Sequence, residues 1–269
     1  MTNQRTVFFI SDRTGITAEA LGNSLLSQFE NIEFNEIHLS FVDTFDKAKS
    51  AIGKINNASA KGNSLPLVFS TQINAEYREL IKNSPCIFFD FFDTFISKME
   101  RSLNLKSSHT IGRLHNPNSN DYSSRINSIN FSLGSDDGLG SKNYAQADII
   151  LIGVSRSGKT PSCLFMALQY GIKAANYPLI DQDLTNTELP EILQPYKNKL
   201  FGLRIKPERL CQIREKRKGN SAYASIGQCQ REIKRAEDLY LANNISFLDT
   251  TQISIEEISA KIISKLSLR

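Results

Sequence analysis

The stretch "DIILIGVSRSGKTPS", residues 148–162, decides the fold of the second half of the chain. It begins with a continuous apolar run, which is typical of a parallel strand that is buried on both faces. The run leads into Gly-x-x-x-x-Gly-Lys-Thr, residues 153–160, and then into the helical pattern "KTPSCLFMALQYG". A strand, a glycine-rich turn and a helix in that order predict a loop that holds phosphate groups.

The chemistry of this loop assigns a role to most of its residues. We predict that Gly153 and Gly158 permit backbone conformations closed to other residues, so that the loop N–H groups can point at anionic oxygens. Lys159 is expected to neutralise the terminal phosphates, and the Thr160 hydroxyl to ligate Mg²⁺. Arg156 adds a planar cation that suits phosphoryl oxygens, although a solvated loop tip is the alternative. The predicted nucleotide-binding residues are therefore Gly153, Val154, Ser155, Arg156, Ser157, Gly158, Lys159 and Thr160.

The same α/β pattern continues downstream of the loop. The runs "AANYPLI", "KLFGLRI" and "ISFLDT" predict further strands, and "SIEEISAKIISKL" predicts a last helix. Between the last two predicted strands lies a basic helical segment, which we expect to act as a closing lid whose arginines meet phosphate. A solvated, charged helix face is the alternative. The basic residues of this region are Arg204, Arg209, Arg214, Lys216, Arg217, Lys218, Arg231 and Arg235.

Upstream, the first hundred residues alternate short apolar runs with helical patterns. We predict strands at "TVFFIS", "IHLSFVD", "LPLVFST" and "CIFFDFF", which cover residues 6–11, 37–43, 65–71 and 86–92. Each predicted strand is followed by a predicted helix. Such β-α units in a row imply a parallel sheet covered by helices.

Between the two α/β patterns the chain is polar and rich in Ser, Asn and Gly. We predict a linker or long loop that holds one short amphipathic piece, "YSSRINSINFSL". The fold class is therefore α/β, with an N-terminal parallel-sheet domain at residues 1–103 and a linker with an acidic loop at 104–142. A P-loop kinase-like domain with a basic helical lid follows at residues 143–269.

The acidic loop "GSDDG", residues 134–138, comes shortly before the strand of the phosphate loop. Adjacent carboxylates in such a loop can serve as a general base or hold Mg²⁺, whereas a plain turn is the alternative. Four carboxylates are candidate Mg²⁺ ligands beside Thr160, namely Asp136, Asp137, Asp181 and Asp183.

The stretch "SDRTGITAE", residues 11–19, follows the first predicted strand. Open α/β sheets bind ligands at this end of their strands, and Thr14-Gly15 at a helix start could bind an anion. Ordinary helix capping is the alternative.

Composition excludes several classes of protein. The chain is 40% hydrophobic and 22% charged, and its net charge of +4 is too weak to indicate nucleic-acid binding by itself. No apolar run approaches the ~18–20 residues that span a bilayer, and we expect that the N-terminal stretch does not act as a signal peptide. The four cysteines form no CxxC pair and the three histidines no HExxH pattern, so a cytoplasmic protein with reduced thiols and without a zinc site is expected.

Taken together, "GVSRSGKTPS", "AANYPL", the upstream "SDDG" and the early "SDRTGITAE" resemble the bacterial phosphoenolpyruvate synthase regulatory proteins. Relatives of that family regulate pyruvate, phosphate dikinase. The resemblance covers essentially the whole chain, and "GIKAANYPL" and "IREKRKGNSAYAS" are most similar to the branch that regulates the synthase.

The resemblance implies a bifunctional enzyme. Its kinase activity transfers the β-phosphate of ADP to a threonine of phosphoenolpyruvate synthase and inactivates it. Its pyrophosphorylase activity uses inorganic phosphate to remove that phosphoryl group and releases pyrophosphate. Carried over to this sequence, Asp137 would be the base for the target hydroxyl, with Lys159 and Arg156 as catalytic cations and Gly153–Thr160 as the ADP or phosphate site. The resemblance also implies a homodimer.

One departure from the family pattern concerns Gly134. Plant relatives carry a lysine at this position, three residues before the aspartate that matches Asp137, so the charge must come from Arg156 or the lid arginines. Two other functions stay open, an ATP-dependent small-molecule kinase and a nucleotide sensor without catalysis. The preference for ADP over ATP is implied by the resemblance alone.

Overall fold

The computed structural model describes residues 4–62, 64–108, 120–138, 141–217 and 221–266. The chain forms two compact units, residues 1–115 and 116–269. The division between them falls inside the segment that the sequence predicts as a linker. Among the described residues, no helix combines the length and the apolar composition needed to cross a bilayer.

The first unit contains a parallel sheet in which each strand is followed by a helix, as predicted. The strand order is β2-β1-β3-β4, so the chain starts in an inner strand and adds strands on both sides. Its elements are β1 (Gln4–Ile10), α1 (Ile16–Leu26), β2 (Glu33–Leu39), α2 (Phe45–Lys61), β3 (Leu67–Ser70), α3 (Ala75–Lys82), β4 (Ile87–Asp90) and α4 (Asp93–Leu103).

The second strand begins and ends four residues earlier than the predicted residues 37–43. The chain leaves the sheet at Phe41, whose φ of 57° is left-handed and incompatible with a strand. The Phe41 N–H instead donates to the Arg13 carbonyl at 2.8 Å. Val42 still enters the core, but from a loop rather than a strand.

The second unit contains a second parallel sheet, with strand order β6-β5-β7-β8. The predicted strands at 174–180, 199–205 and 245–250 are confirmed with slightly shorter bounds. The elements are α5 (Asn120–Gly134), β5 (Ile149–Gly153), α6 (Lys159–Tyr170), β6 (Ala174–Pro178), β7 (Leu200–Arg204), α7 (Pro207–Arg217), α8 (Ile226–Ala242), β8 (Phe247–Asp249) and α9 (Ile255–Leu266). Two parallel sheets covered by helices confirm the α/β class.

Strand β5 lies at the centre of the second unit and is buried along its whole length. Its alternate residues contribute to different cores, Ile149 and Leu151 to the one formed with α6 and α9. Ile150 and Ile152 contribute to the core on the opposite face, which is formed with α7 and α8. Burial of each such side chain contributes about 1.5–3 kcal/mol, which explains the continuous apolar run.

Helix α5 is an ordered part of the second unit, although its residues fall in the predicted linker. It packs against α6 and β6. The Ser128 hydroxyl donates to the Gly171 carbonyl, and the Ser132 hydroxyl donates to the Ala174 carbonyl, both at 2.7 Å. These contacts place the end of α5, and the acidic turn that follows it, beside β6.

Because all four strands of this sheet run in parallel, their carboxyl ends share one edge. The turn after β5 and the start of α6 lie at this edge. Ligands of open α/β sheets bind at such an edge, so a ligand site is expected there.

Candidate functional site

The loop Gly153–Thr160, called the glycine loop below, connects β5 to α6. Gly158 has a φ of 97° and precedes the first residue of α6 in the left-handed region, as its prediction requires. Gly153 is needed for another reason, because a Cβ atom there would lie 2.7 Å from the Leu203 carbonyl oxygen of β7. Arg156 is exposed, with an unfavourable φ of 79° for a non-glycine residue.

Lys159 is buried under the glycine loop, with 4% of its surface exposed. Its Nζ donates to the carbonyl oxygens of Gly153 at 2.9 Å and Val154 at 3.0 Å. Burial lowers the Lys159 pKa to about 8, while the nearby carboxylate of Asp137 opposes this shift. Lys159 and Asp137, far apart in the sequence, therefore share one electrostatic environment.

Asp136 is held against the start of α6. The Thr160 hydroxyl donates to Asp136 Oδ1 at 2.8 Å, and the Asn176 side-chain amide donates to the same oxygen. Asn176 lies on β6 opposite Leu151 and is fully buried. Three segments of the chain thus meet at this carboxylate.

Asp137 is held differently from its neighbour. Its backbone N–H donates to Asn176 Oδ1 at 3.1 Å, and its φ and ψ of 49° and 34° are left-handed. Its carboxylate is exposed and accepts no hydrogen bond from any residue that the structure describes. The two adjacent acids therefore present different chemistry, since one carboxylate is occupied and the other is open.

Asn176 is a site residue that the motif reading did not single out. The signal was present, because a buried polar residue within the apolar strand "AANYPL" requires a hydrogen-bond partner. Its partners lie near residues 136 and 160, however, and only the folded chain brings them together.

The four candidate Mg²⁺ carboxylates have different partners in the structure. Asp183 accepts from the Tyr177 hydroxyl at 3.2 Å and the Ile180 N–H at 3.0 Å. Asp181 accepts from the Gln228 side chain at 3.2 Å. Of the four, Asp136 is the one that contacts the Thr160 hydroxyl, and two hard oxygens side by side suit Mg²⁺.

Arg214 was predicted to meet phosphate from a lid, and here the structure differs. Its guanidinium is buried and donates to both carboxylate oxygens of Glu232, at 3.0 and 2.7 Å. Burial opposes its charge, but the hydrogen bonds and attraction of Glu232 outweigh that effect and raise the Arg214 pKa. It also donates to the Ser155 carbonyl at 3.2 Å, so it supports the glycine loop from behind.

Tyr223 adds a second connection between the helical segment and the glycine loop. Its ring lies 4.0 Å from the Arg214 guanidinium, and its hydroxyl donates to Ser155 Oγ at 3.0 Å. Sequence reasoning missed Tyr223 and Glu232 because neither belongs to the phosphate motif.

The other basic residues of this region differ from Arg214. Arg204 forms ion pairs with Glu237 and Asp249. Lys218 lies outside the described residues. The side chains of Arg209, Lys216, Arg217, Arg231 and Arg235 are exposed.

The "SDRTG" stretch belongs to the first unit. Asp12 is buried and accepts the Ile73 N–H at 3.2 Å, and burial raises its pKa. Gly15 has a φ of 81° and precedes α1 without a side-chain cap. No side chain among the described residues caps the start of this helix, which does not support the capping alternative. Anion binding at Thr14-Gly15 stays a prediction.

Comparison with known proteins extends these observations. The family model described as kinase/pyrophosphorylase matches residues 7–263. A relative from Stutzerimonas stutzeri is 49% identical over 97% of this chain and 96% of its own length. A relative from Legionella pneumophila is 50% identical over 99% and 98%, and one from Marinobacter nauticus is 48% identical over the same shares. Each bears the name "Putative phosphoenolpyruvate synthase regulatory protein".

Proposed function

The chain belongs to the kinase/pyrophosphorylase family, and from this premise we propose that it regulates phosphoenolpyruvate synthase by reversible phosphorylation. In one direction it transfers the β-phosphoryl group of ADP to a threonine of the synthase. In the other it transfers that phosphoryl group from the threonine to inorganic phosphate, and pyrophosphate leaves. The names of the relatives support the choice of protein substrate.

The observation that carries the proposal is the open carboxylate of Asp137 beside the glycine loop. A base must have a free oxygen within reach of the acceptor hydroxyl, and Asp137 is the acid of the pair whose oxygens are unoccupied among the described residues. Its proximity to Lys159 places it next to the charge that would meet a phosphate.

In the kinase direction, Asp137 takes the proton of the threonine hydroxyl as the oxygen attacks the β-phosphorus. The bond from that phosphorus to the bridging oxygen breaks, and AMP leaves. In the reverse direction, an oxygen of inorganic phosphate attacks the phosphorus of phosphothreonine. The bond to the threonine oxygen breaks, that oxygen regains a proton from Asp137, and pyrophosphate is formed. One loop serves both directions. It would hold the phosphates of ADP in the kinase direction and the attacking inorganic phosphate in the reverse direction.

Lys159 and the N–H groups of the glycine loop would stabilise the charge that develops on the phosphoryl oxygens. In the structure the Lys159 ammonium is bound to two carbonyl oxygens of the same loop. We propose that a bound phosphate replaces these partners, so that charge is supplied only when the ligand is in place.

Thr160 and Asp136 would hold Mg²⁺, which when bound neutralises phosphate charge and orients the leaving group. Asn176 fixes the carboxylate of Asp136 for this purpose. It binds Asp137 through the backbone N–H, which leaves the Asp137 carboxylate free for the acceptor hydroxyl.

The experiment mixes the purified protein with ADP and phosphoenolpyruvate-loaded synthase, and measures AMP and phosphothreonine. We expect both products, and we expect Asp137→Asn to lose transfer in both directions while it still binds nucleotide. A matched control is Asp148→Asn, because Asp148 lies directly before β5, at the opposite edge of the same sheet. Transfer from ATP but not from ADP would contradict the proposal. Regulation that survives Asp137→Asn would favour a sensor without catalysis.

A further inference from the structure

A cavity of about 320 Å³ lies between α8 and the loop that follows β6. Helix α8 contributes Gln228, Arg231 and Arg235, which lie about one turn apart along one helix face. The buried Leu184 and the exposed Asp181 belong to the opposite wall. We call this cavity the arginine pocket.

The acidic groups of the pocket already have partners. Both carboxylate oxygens of Glu232 accept hydrogen bonds from Arg214, and Asp181 accepts one from Gln228. The charge of Glu232 is therefore balanced by Arg214. Asp181 keeps its charge because Gln228 is neutral, and together with Arg231 and Arg235 it leaves the pocket with a net positive charge.

The two pocket arginines keep most of their donors. Arg231 donates one N–H to Gln228 Oε1 at 2.7 Å. Arg235 forms no ion pair or hydrogen bond with any residue that the structure describes. A guanidinium has five N–H donors in a planar fork that matches a carboxylate, so the unused donors favour an anionic occupant.

Contacts of Tyr177 connect the pocket to the acidic turn that carries Asp137. The ring of Tyr177 lies against Gly138, at the end of the acidic turn, and its hydroxyl binds Asp183 in the loop that lines the pocket. Tyr177 of β6 thus lies between the turn that carries Asp137 and the loop that lines the pocket.

The pocket is linked to the glycine loop through two residues. Glu232 forms part of its wall and binds Arg214, which donates to the Ser155 carbonyl. The volume admits one or two side chains, but it is too small for a larger element of a protein.

From this placement we propose that the arginine pocket is a docking site for an acidic side chain of the protein acceptor, and that it directs the target threonine to Asp137. The proposal rests on the proposed function, since it assigns a partner contact to the same site. Two cations set one turn apart on a helix can bind one carboxylate together, which favours an acidic side chain over a neutral one.

The test compares the double variant Arg231→Ala/Arg235→Ala with Lys234→Ala. Lys234 is a matched control because it is an exposed cation of the same helix, pairs with Asp238 and does not line the pocket. Steady-state transfer from ADP to phosphoenolpyruvate synthase is measured for each. We expect the double variant to raise the KM for the synthase about tenfold, with kcat and the KM for ADP changed less than twofold. The control is expected to behave as the wild type.

A second measurement is the direct binding of each variant to the synthase without nucleotide, at two salt concentrations. The wild type should bind more weakly at the higher salt, and the double variant should show a smaller salt effect. If the wild type binds the synthase but transfers nothing from ADP, and the double variant binds more weakly, the proposed function fails and the docking contact stands. Equal binding by the double variant would overturn the docking site. So would an increase confined to the KM for ADP or for inorganic phosphate, since the pocket would then serve a small ligand.

Discussion

Asn176 accepts the backbone N–H of Asp137 through its Oδ1 at 3.1 Å, while its Nδ2 donates to the carboxylate of Asp136. One amide side chain on β6 thus fixes the backbone of one acid and the carboxylate of the other. An amide is the group that can do both, because it carries an acceptor and a donor on the same carbon.

The first prediction concerns Asn176→Asp. The new carboxylate can still accept the Asp137 N–H, but its second oxygen would face Asp136 where the amide donated. Two such carboxylates repel unless they share a proton, so the variant should regain transfer activity as the pH falls. The rate is measured from about pH 5.5 to 8 and compared with Asn176→Ala, which has no group to protonate. Identical pH profiles for the two variants would show that Asn176 does not hold the acids in this way.

The second prediction separates the two acids. We expect Asp137→Asn to lower the rate by a factor of about 10² or more, with an unchanged Mg²⁺ requirement. We expect Asp136→Asn to raise the Mg²⁺ concentration for half-maximal rate about tenfold, because Asp136 binds the Thr160 hydroxyl. Titration of the transfer rate with Mg²⁺ distinguishes these outcomes. An equal Mg²⁺ requirement in both variants would exclude the division of roles.

The third prediction follows from the Lys159 pKa of about 8, which lies below the ordinary 10.5. Between these values the unfolded chain binds more protons at this residue than the folded chain does. The contribution of Lys159 to the free energy of unfolding should therefore rise with pH, by about 2 kcal/mol from pH 8 to pH 10. The measurement is urea unfolding of the wild type and Lys159→Met at both pH values. The stability difference between them should change in favour of the wild type, and a constant difference would contradict the lowered pKa.

The fourth prediction concerns the ion pair of Arg214 and Glu232. Glu232→Leu leaves a buried guanidinium without its carboxylate, and we expect a loss of about 3–5 kcal/mol in the free energy of unfolding. The double variant Arg214→Met/Glu232→Leu removes both charges and should recover part of that loss. Urea unfolding measures both. If the single variant loses less free energy of unfolding than the double variant, the ion pair does not stabilise the fold as described.

The fifth prediction compares two glycines. Gly153→Ala places a Cβ atom 2.7 Å from the Leu203 carbonyl, so β5 and β7 must separate, and we expect a loss of about 1–3 kcal/mol. Gly134 has open space around its Cβ position. Gly134→Ala and Gly134→Lys, the second of which introduces the lysine of plant relatives, should therefore fold normally. Thermal unfolding checks all three variants, and a destabilised Gly134→Ala would contradict the free space.

The sequence predicted the sheets well where local pattern determines structure. The apolar run of β5 reflects burial on both faces, so its strand was found almost residue by residue. The second strand was placed four residues too late, because Val42 is apolar for packing from a loop and not for strand pairing, while the apolar Phe41 beside it is exposed. Hydrophobicity alone does not separate these two uses.

The site was predicted less completely because its contacts join distant segments. The glycine motif located the loop, yet the contact of Asp136 with Thr160 and Asn176 depends on how α5 packs beside β6. Arg214 was assigned to phosphate because its charge is visible in the sequence, whereas its burial against Glu232 arises only when α7 and α8 pack together.

The two sheets have the same strand order relative to their own first strand, and no strand of one sheet pairs with a strand of the other among the described residues. On the ribosome, the last strand of the first sheet, which ends at Asp90, is made well before the first strand of the second, which begins at Ile149. Because domains generally fold as units during synthesis, the first sheet can be complete before the glycine loop is translated. A ribosome that pauses just before Ile149 would therefore hold a nascent chain whose first sheet has been made and whose glycine loop has not.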